Sequence, residues 1–315
     1  MESTSIHEKK AITIILNYNT WDETVDCIES ILNSFPRMFV LVVDNCSLED
    51  STEKFNNYVK NKSNVRIIKA QENKGYSAGN NVGLKYALEN NFDYIFISNS
   101  DIIVRDDAIE KMIDLSESIE NCGLVGPHIY NKRDEFVPFL LICKKDFSVK
   151  IKNMALKIPG AKFFLKKFIK SFIISNEIDN PLEVFSVHGS FYLMTRECAE
   201  YLYPLDERTF LYEEEPIIGC KLEKSKFKAV LCPFTHVNHL AGVSTKGMSP
   251  FAFRCMTDSE QIYSRNYIGC TKFQANILFW IRRFEYLAMC IKREDYRLYK
   301  HVYMCETKKF RNENK

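Results

Sequence analysis

The sequence NKGYSAGNNVG occupies residues 73–83 and is the most specific short signal in this chain of 315 residues. Its glycines allow the backbone to approach a ligand closely, and Ser77 or an asparagine side chain can cap a helix that follows. The glycine order is neither that of a dinucleotide-binding loop nor that of a phosphate-binding loop. On its own the segment fits either a structural turn or a ligand-binding loop. The pattern of the flanking sequence is needed to choose between these two interpretations.

Apolar runs of strand length alternate with amphipathic runs of helix length on both sides of this segment. Strands are predicted at residues 11–16, 39–43, 65–68 and 94–98, and further along at residues 184–187, 191–195 and 227–232. Helices are predicted at residues 22–33, 79–90 and 106–120, and in a run that ends at residue 222. This alternation predicts an α/β fold of the Rossmann-like kind, with a mostly parallel central sheet flanked by helices.

The sequence beyond these runs predicts two additions to the α/β domain. Residues 1–250 are predicted as one domain and residues 251–315 as a C-terminal helical extension. A basic amphipathic insertion is predicted at about residues 143–175, because residues 144–170 hold nine lysines and one acid. This segment fits a solvated helix that packs on the core, or a peripheral contact with anionic lipid headgroups or a lipid-linked acceptor.

Composition and charge narrow the classes of protein. Hydrophobic residues make up 46% and charged residues 27%, which is typical of a globular chain rather than a disordered one. The net charge of +2 selects no partner, and we expect no nucleic-acid ligand. The first ten residues lack the order of a secretory signal, so we expect a cytoplasmic protein. Eleven singly scattered cysteines fit reduced core thiols.

The longest apolar run near the end covers residues 277–291. Arg282, Arg283 and Glu285 interrupt it, so it does not meet the requirement of about 20 uncharged residues for a membrane span. A helix that lies on a surface remains an open interpretation.

Compact polar clusters follow each of the first four predicted strands. They are Asn17-Tyr18-Asn19, Asp44-Asn45, residues 73–83 and Asn99-Ser100-Asp101. Asparagine and aspartate also favour turns, so one such cluster carries little weight. Because ligands gather at the carboxyl ends of parallel strands, four clusters in this order predict a crevice that accommodates a nucleotide.

Three sets of side chains are candidates for chemistry. Asp101 at a strand end suits a divalent cation that bridges phosphates, or caps a helix. Glu213-Glu214-Glu215 crowds three carboxylates, which favours a general base, although acids also suit a helix N-terminus. His236 and His239 follow the last predicted strand, where an imidazole completes a metal site or forms a hydrogen bond in a loop.

The order of these motifs resembles glycosyltransferase family 2, in particular its bacterial rhamnosyltransferase-like members. The resemblance extends over about residues 10–270. It is carried by residues 14–19, 42–47, 73–83 and 98–101, then by residues 189–191, 205–215, 239–244 and the pair Arg265-Asn266.

The resemblance implies a GT-A fold, inversion at the anomeric carbon and bound Mg²⁺ or Mn²⁺. It implies a nucleotide-binding set of Asn17, Tyr18, Asn19, Asp44, Asn73, Gly75 and Asn99. Asp101 and His239 would ligate the metal. Glu215 would be the catalytic base, with Glu214 as the alternative.

The expected reaction is transfer from a UDP- or dTDP-linked sugar to a hydroxyl of a glycan or polyprenyl-linked glycan in surface polysaccharide biosynthesis. Glu215 stands where the family has an aspartate, Ile217 where it has an acid, and Ser100 where it has a proline. The alternatives are a non-catalytic protein that binds nucleotide sugars and a nucleotidyltransferase.

Overall fold

The computed structural model describes residues 9–48, 52–60, 62–105, 107–138, 143–155, 178–240 and 247–313. The strands are β1 (Ala11–Asn17), β2 (Phe39–Asp44), β3 (Val65–Lys69), β4 (Tyr94–Asn99), β5 (Ile102–Val104), β6 (Cys122–Asn131), β7 (Leu182–Val184), β8 (Phe191–Thr195) and β9 (Lys228–His239). Helices of the α/β part are α1 (Trp21–Ser34), α2 (Thr52–Val59), α3 (Tyr76–Glu89), α4 (Ala108–Ser118), α5 (Phe147–Ala155), α6 (Arg196–Leu202) and α7 (Glu214–Leu222). The C-terminal helices are α8 (Pro250–Asn266), α9 (Lys272–Lys292) and α10 (Glu294–Glu313).

The strands form one sheet in the order β3-β2-β1-β4-β8-β6-β9-β5, and β7 pairs with β9. The first four strands are parallel, as are β6 and β9, whereas β8 is antiparallel to both of its neighbours. The carboxyl ends of β1, β2, β3 and β4 therefore lie along one edge. This arrangement confirms the predicted α/β sheet and the crevice edge at which the polar clusters were expected.

Both faces of the sheet are covered, because alternate residues of each strand face opposite layers. On β1, Ile15 belongs to one core cluster with Ile28 of α1. Ile12 and Ile14 belong to the other cluster with Leu84 of α3. The nearly continuous apolar character of β1 follows from burial on both faces.

The glycines of α3 permit a close approach between this helix and β1. A Cβ atom at Gly83 would lie 2.4 Å from Cγ2 of Ile14, and one at Gly79 would lie 2.4 Å from Cδ1 of Leu16. Residues 73–83 are thus partly a packing motif. The helix begins at Tyr76, three residues before the predicted start, and its N-cap Gly75 makes no side-chain capping bond, so the predicted caps were wrong.

Two strand predictions differ from the structure. The strand predicted at residues 184–187 is β7, which ends at Val184. The strand predicted at residues 227–232 continues as β9 to His239, so His236 and His239 lie on a strand and not in a loop. A register shift between β6 and β9 at Pro127 and His128 lets the pairing resume beyond the first apolar run.

The three C-terminal helices pack around an aromatic core. Phe253, Tyr286, Tyr296 and Tyr303 are buried together, and the rings of Tyr286 and Tyr303 stack with centroids 3.7 Å apart. Within the described ranges, no helix is both long and apolar enough to cross a bilayer. Of the predicted basic insertion, residues 143–155 with α5 are described, whereas residues 156–175 lie outside the described residues.

Candidate functional site

Asn17 and Asp44 end the adjacent strands β1 and β2 and are almost fully buried. The Asn17 side chain donates to Oδ1 of Asp44 over 3.4 Å, and this oxygen also accepts from the backbone N–H of Ser47 over 3.1 Å. Oδ1 of Asn17 accepts from the hydroxyls of Thr20 and Thr24, each over 3.0 Å. Asn17 therefore holds the two strand ends in register and is occupied by protein partners.

The loop after β1 carries the other two residues of the first cluster. Tyr18 is exposed at the edge of the crevice. Asn19 adopts a left-handed backbone with φ 57°, and its N–H donates to Oγ of Ser47 over 2.9 Å. The hydroxyl of Ser47 thus joins the ends of β1 and β2, which was not expected from the sequence.

The segment before α3 closes the crevice on the side of β3. The Asn45 side chain donates to Oδ1 of Asn73 over 3.0 Å, and this oxygen also accepts from the N–H of Gly75 over 3.0 Å. Gly75 has φ 97°, and a Cβ atom there would lie 2.1 Å from the carbonyl oxygen of Phe210. Only glycine fits this position.

A cavity of about 360 Å³ opens beside this segment, and Asn45, Lys69, Gly79 and Glu207 are among the residues that line it. It lies at the carboxyl ends of β2 and β3, next to Asp44, Asn73 and Gly75 in sequence, but none of the seven predicted nucleotide-binding residues lines it. Its lining mixes amide, cationic and carboxylate groups with the backbone of α3, as suits a polar ligand.

Asp101 and His239 meet across the pairing of β5 with β9. Oδ1 of Asp101 lies 3.2 Å from Nε2 of His239, and the backbone N–H of Leu240 donates to the Asp101 carbonyl over 2.9 Å. Asn99 ends β4 just before this pair, and its N–H donates to the carbonyl of Ser190. The sequence predicted both residues of the pair but not the strand that brings them together.

A carboxylate oxygen and an imidazole nitrogen at this separation fit a divalent cation such as Mn²⁺ or Mg²⁺. Two protein ligands leave coordination positions for phosphate oxygens and water. No group of three or more histidine, cysteine, aspartate or glutamate side chains with metal-site geometry occurs among the described residues. Asp101 and His239 are therefore a candidate pair of cation ligands rather than a complete metal site.

The turn at residues 188–190 connects this pair to the acidic residues. The rings of His188 and His239 lie 6.1 Å apart between centroids. Nδ1 of His188 lies 2.8 Å from the Ser190 hydroxyl and accepts from the Ser190 N–H over 3.2 Å. Burial lowers the pKa of His188, and the charge of Glu215 opposes that effect. His188 is a polar residue of the site that the sequence analysis missed.

Glu215 faces the same turn. Its Oε1 accepts from the N–H of Gly189 over 3.2 Å, while the carbonyl of Gly189 accepts from the Tyr76 hydroxyl over 2.5 Å. A Cβ atom at Gly189 would lie 2.7 Å from Oε1 of Glu215. The glycine therefore makes room for the carboxylate.

Glu214 has a different environment. Its side chain is buried, and burial together with the charge of Glu215 raises the pKa of Glu214 well above its ordinary value. Its Oε1 has no hydrogen-bond partner among the described residues. Glu214 therefore holds a proton more readily than an ordinary glutamate does.

Glu213 belongs to a buried network of ion pairs that the sequence did not reveal. Its Oε1 accepts from Nζ of Lys150 on α5 over 2.6 Å, and Lys150 lies 3.3 Å from Glu260 on α8. Arg282 on α9 contacts both carboxylate oxygens of Glu260, at 2.8 and 2.9 Å. The network ties the basic insertion and the C-terminal helices to the acidic turn.

Solved structures that are similar in fold include glycosyltransferases. GalNAc-T7 with UDP, GalNAc and Mn²⁺ aligns with a TM-score of 0.58 at 14% identity, over 82% of this chain and 49% of that chain. The mannosyltransferase PcManGT from Pyrobaculum calidifontis, in complex with GDP-Man and Mn²⁺, gives 0.55 at 12% identity over 90% and 71%. TarS 1–349 from S. aureus gives 0.51 at 13% identity over 88% and 72%. These likenesses establish the GT-A fold.

Sequence comparison agrees with the fold. The low-salt glycan biosynthesis hexosyltransferase Agl10 of Haloferax volcanii is 24% identical over 205 residues, which are 64% of this chain and 58% of Agl10. The chain therefore spans less than two thirds of that relative. The family profile described as Glycosyl transferase family 2 matches residues 12–173, about half of the chain. The chain belongs to glycosyl transferase family 2.

Proposed function

We propose that this protein is an inverting glycosyltransferase. It transfers a hexosyl or deoxyhexosyl group from a UDP- or dTDP-linked sugar to a hydroxyl of a glycan or polyprenyl-linked glycan. The observation that carries the proposal is the turn at residues 188–190, which joins the Asp101–His239 pair to the carboxylate of Glu215. A candidate metal-binding pair and a candidate base that both border one short turn suit displacement of a nucleoside diphosphate.

Glu215 is the proposed base. Its carboxylate accepts the proton of the acceptor hydroxyl while that oxygen forms a bond to the anomeric carbon. The bond from the anomeric carbon to the phosphate oxygen breaks, and the nucleoside diphosphate leaves from the opposite face, so the configuration inverts. The N–H of Gly189 fixes one oxygen of Glu215, and Glu214 is disfavoured as the base because its side chain is buried in the protein interior.

A divalent cation held by Asp101 and His239 would neutralise charge on the leaving phosphates. The nucleoside is proposed to lie along Asp44, Asn73, Gly75 and Asn99, with Tyr18 at the edge. Asn17 and Asn19 are proposed to shape this pocket without contacting the nucleotide, because their polar atoms form hydrogen bonds with protein groups at the strand ends. GalNAc-T7 and TarS 1–349 bind UDP and PcManGT binds GDP-Man in their structures, which supports a nucleoside diphosphate donor without selecting its base.

The acceptor is proposed to be an intermediate of surface polysaccharide biosynthesis on the cytoplasmic side of the membrane. Agl10 carries the description of a glycan biosynthesis hexosyltransferase, which supports a glycan acceptor. The basic segment at residues 144–170 is proposed to contact the headgroups next to a lipid-linked acceptor, since lysines are attracted to anionic surfaces.

Two measurements, made one after the other, test this function. Thermal melting with UDP, dTDP and GDP, each with and without Mn²⁺, should show stabilisation by one diphosphate that requires the metal. Donor turnover is then compared in Glu215→Gln and Glu214→Gln. We expect Glu215→Gln to lower kcat by about 10²–10⁴ while the donor-induced shift persists, and Glu214→Gln to keep most of its activity.

The alternatives give different results. Metal-dependent nucleotide binding without turnover in the natural chain would indicate a non-catalytic nucleotide-sugar-binding protein. Binding of a nucleoside triphosphate with release of pyrophosphate would indicate a nucleotidyltransferase. Full activity of Glu215→Gln would remove Glu215 from the role of base.

A further inference from the structure

The outer face of α9 is apolar and exposed to solvent. Phe273, Trp280, Phe284 and Ile291 retain 73%, 51%, 67% and 81% of their accessible surface. Their spacing puts them on one side of the helix. The opposite side packs on the C-terminal core through Leu278, Arg282, Tyr286 and Cys290, which are buried. We call Phe273, Trp280, Phe284 and Ile291 the outer face of α9.

Such a face is unusual for a surface helix. A helix at the surface of a globular protein normally has polar residues on the side away from the core. Large aromatic and aliphatic residues in one contiguous exposed row mark a contact site rather than scattered surface hydrophobics. The row follows a helix of 21 residues, which is about 30 Å long.

Positive charge surrounds this face. Lys272 and Lys292 lie exposed at the two ends of α9, and the guanidinium of Arg283 lies 5.6 Å from the ring centre of Trp280. Residues 272–313 contain ten lysines and arginines against five acids, whereas the whole chain has a net charge of only +2. The hairpin of α9 and α10 therefore has a local excess of five positive charges.

We propose that the outer face of α9 docks this protein on an anionic membrane surface. The aromatic side chains insert between the headgroups, with the helix parallel to the surface, and Lys272 and Lys292 contact lipid phosphates. Aromatic residues prefer the interfacial region, and each lysine near an anionic surface strengthens binding. This docking does not depend on the proposed transfer reaction.

Charge argues against a second copy of the chain as the occupant. A contact between two copies of this face would follow two-fold symmetry, with the helices antiparallel or crossed. An antiparallel contact would place Lys272 of one copy near Lys292 of the other, and Arg283 near its equivalent. Like charges in an interface disfavour association, whereas lipid phosphates neutralise the same groups.

The test is flotation of the full chain with vesicles of phosphatidylcholine alone or mixed with phosphatidylglycerol. The natural chain should bind the mixed vesicles more tightly, and raised salt should weaken that binding. The double variant Trp280→Ser/Phe284→Ser should bind about tenfold more weakly or worse, because two large apolar side chains are removed from the contact. Phe234→Ser is the matched control, since Phe234 is 50% exposed on β9.

A second variant separates charge from apolar contact. Lys272→Gln/Lys292→Gln should reduce binding to the mixed vesicles by about fivefold for each lysine, with little change for phosphatidylcholine alone. All substituted side chains are exposed, so circular dichroism and donor-induced melting shifts should match those of the natural chain. These shifts also separate a failure of docking from a failure of the proposed donor site.

Three outcomes would overturn the proposal. One is equal vesicle binding by the natural chain and Trp280→Ser/Phe284→Ser. Another is equal binding to neutral and anionic vesicles, which would remove the role of the lysines. The third is a natural chain that is dimeric in solution, becomes monomeric in the double variant and does not float with either vesicle, which would assign the face to a second copy.

Discussion

Replacement of Lys150 by methionine is the sharpest test of how the acidic turn is held. Lys150 is buried, with its Nζ 2.6 Å from Glu213 and 3.3 Å from Glu260, and 4.8 Å from the ring centre of Tyr263. Burial lowers the pKa of Lys150, but the two carboxylates outweigh that effect and hold the pKa above its ordinary value. Lys150 is therefore charged at neutral pH.

Methionine keeps most of the volume and removes the charge. Arg282 still forms an ion pair with Glu260, but Glu213 loses the only cation that it contacts among the described residues. Breaking a buried ion pair by removing one partner costs about 3–5 kcal/mol. For a chain of this size that lowers the melting temperature by roughly 5–8 °C.

A second effect concerns the backbone. Tyr212 and Glu213 both have left-handed conformations, with φ 74° and 68°. Non-glycine residues in this region cost about 1–3 kcal/mol each and persist only where their surroundings hold them. Without Lys150 the turn can relax, and Glu215 is then displaced from Gly189. A shift of about 1 Å in a catalytic group can cost about a hundredfold in rate.

The assay has two readouts. Melting and chemical unfolding measure the stability, and donor turnover well below the melting temperature measures kcat. Lys152→Met is the matched control, because it removes an exposed lysine from the same helix. Lys150→Arg should recover part of both losses by restoring a charge. If Lys150→Met melts and turns over like Lys152→Met, the network neither stabilises the fold nor positions the turn.

Three further changes have equally definite outcomes. Glu214→Gln should be increasingly more stable than the natural chain as pH rises above about 4.3, because the raised pKa of Glu214 means that the natural chain takes up a proton when it folds. The difference in unfolding free energy should grow by about 1.4 kcal/mol per pH unit up to the folded pKa. A constant difference in melting temperature from pH 4 to pH 8 would contradict this. Asp101→Asn should abolish the part of the diphosphate-induced melting shift that requires Mn²⁺ and leave any metal-free shift, and an unchanged shift would exclude Asp101 as a ligand. Gly75→Ala should cost at least about 3 kcal/mol on unfolding, because its Cβ atom would overlap the Phe210 carbonyl. Gly269→Ala is its control, since Gly269 also has positive φ but nothing lies within 4 Å of the added atom, and equal losses would show that backbone strain alone decides.

The sequence predicted the sheet edge well because its signals are local. The first four strands are short apolar runs that end in turn-forming polar residues, and burial on both faces leaves the runs uninterrupted. The order of the clusters at Asn17, Asp44 and Asp101 therefore translated directly into neighbours along one edge.

The far end of β9 was not predictable in this way. The apolar run stops at Cys232, and Pro233 follows, which has no N–H to donate and normally ends a central strand. The strand continues because the register shift beside Pro127 allows the pairing with β6 to resume at His236. That pairing is set by residues about a hundred positions away, so no local pattern contained it.

Lys150 was missed for a related reason. A lysine in a stretch of nine is expected to be solvated, since charged side chains are almost never fully buried unless paired. Its partners Glu213 and Glu260 are distant in sequence and lie on separate elements. The helical pattern of α5 gave no sign of either partner.

The three consecutive glutamates show how backbone geometry divides one sequence motif into three chemical roles. Left-handed backbone at Glu213 turns its side chain to Lys150 just before α7 begins. Helical rotation then directs Glu214 into the protein interior, where burial raises its pKa, and Glu215 toward Gly189. Of the three, Glu215 is therefore the carboxylate that faces the turn at residues 188–190.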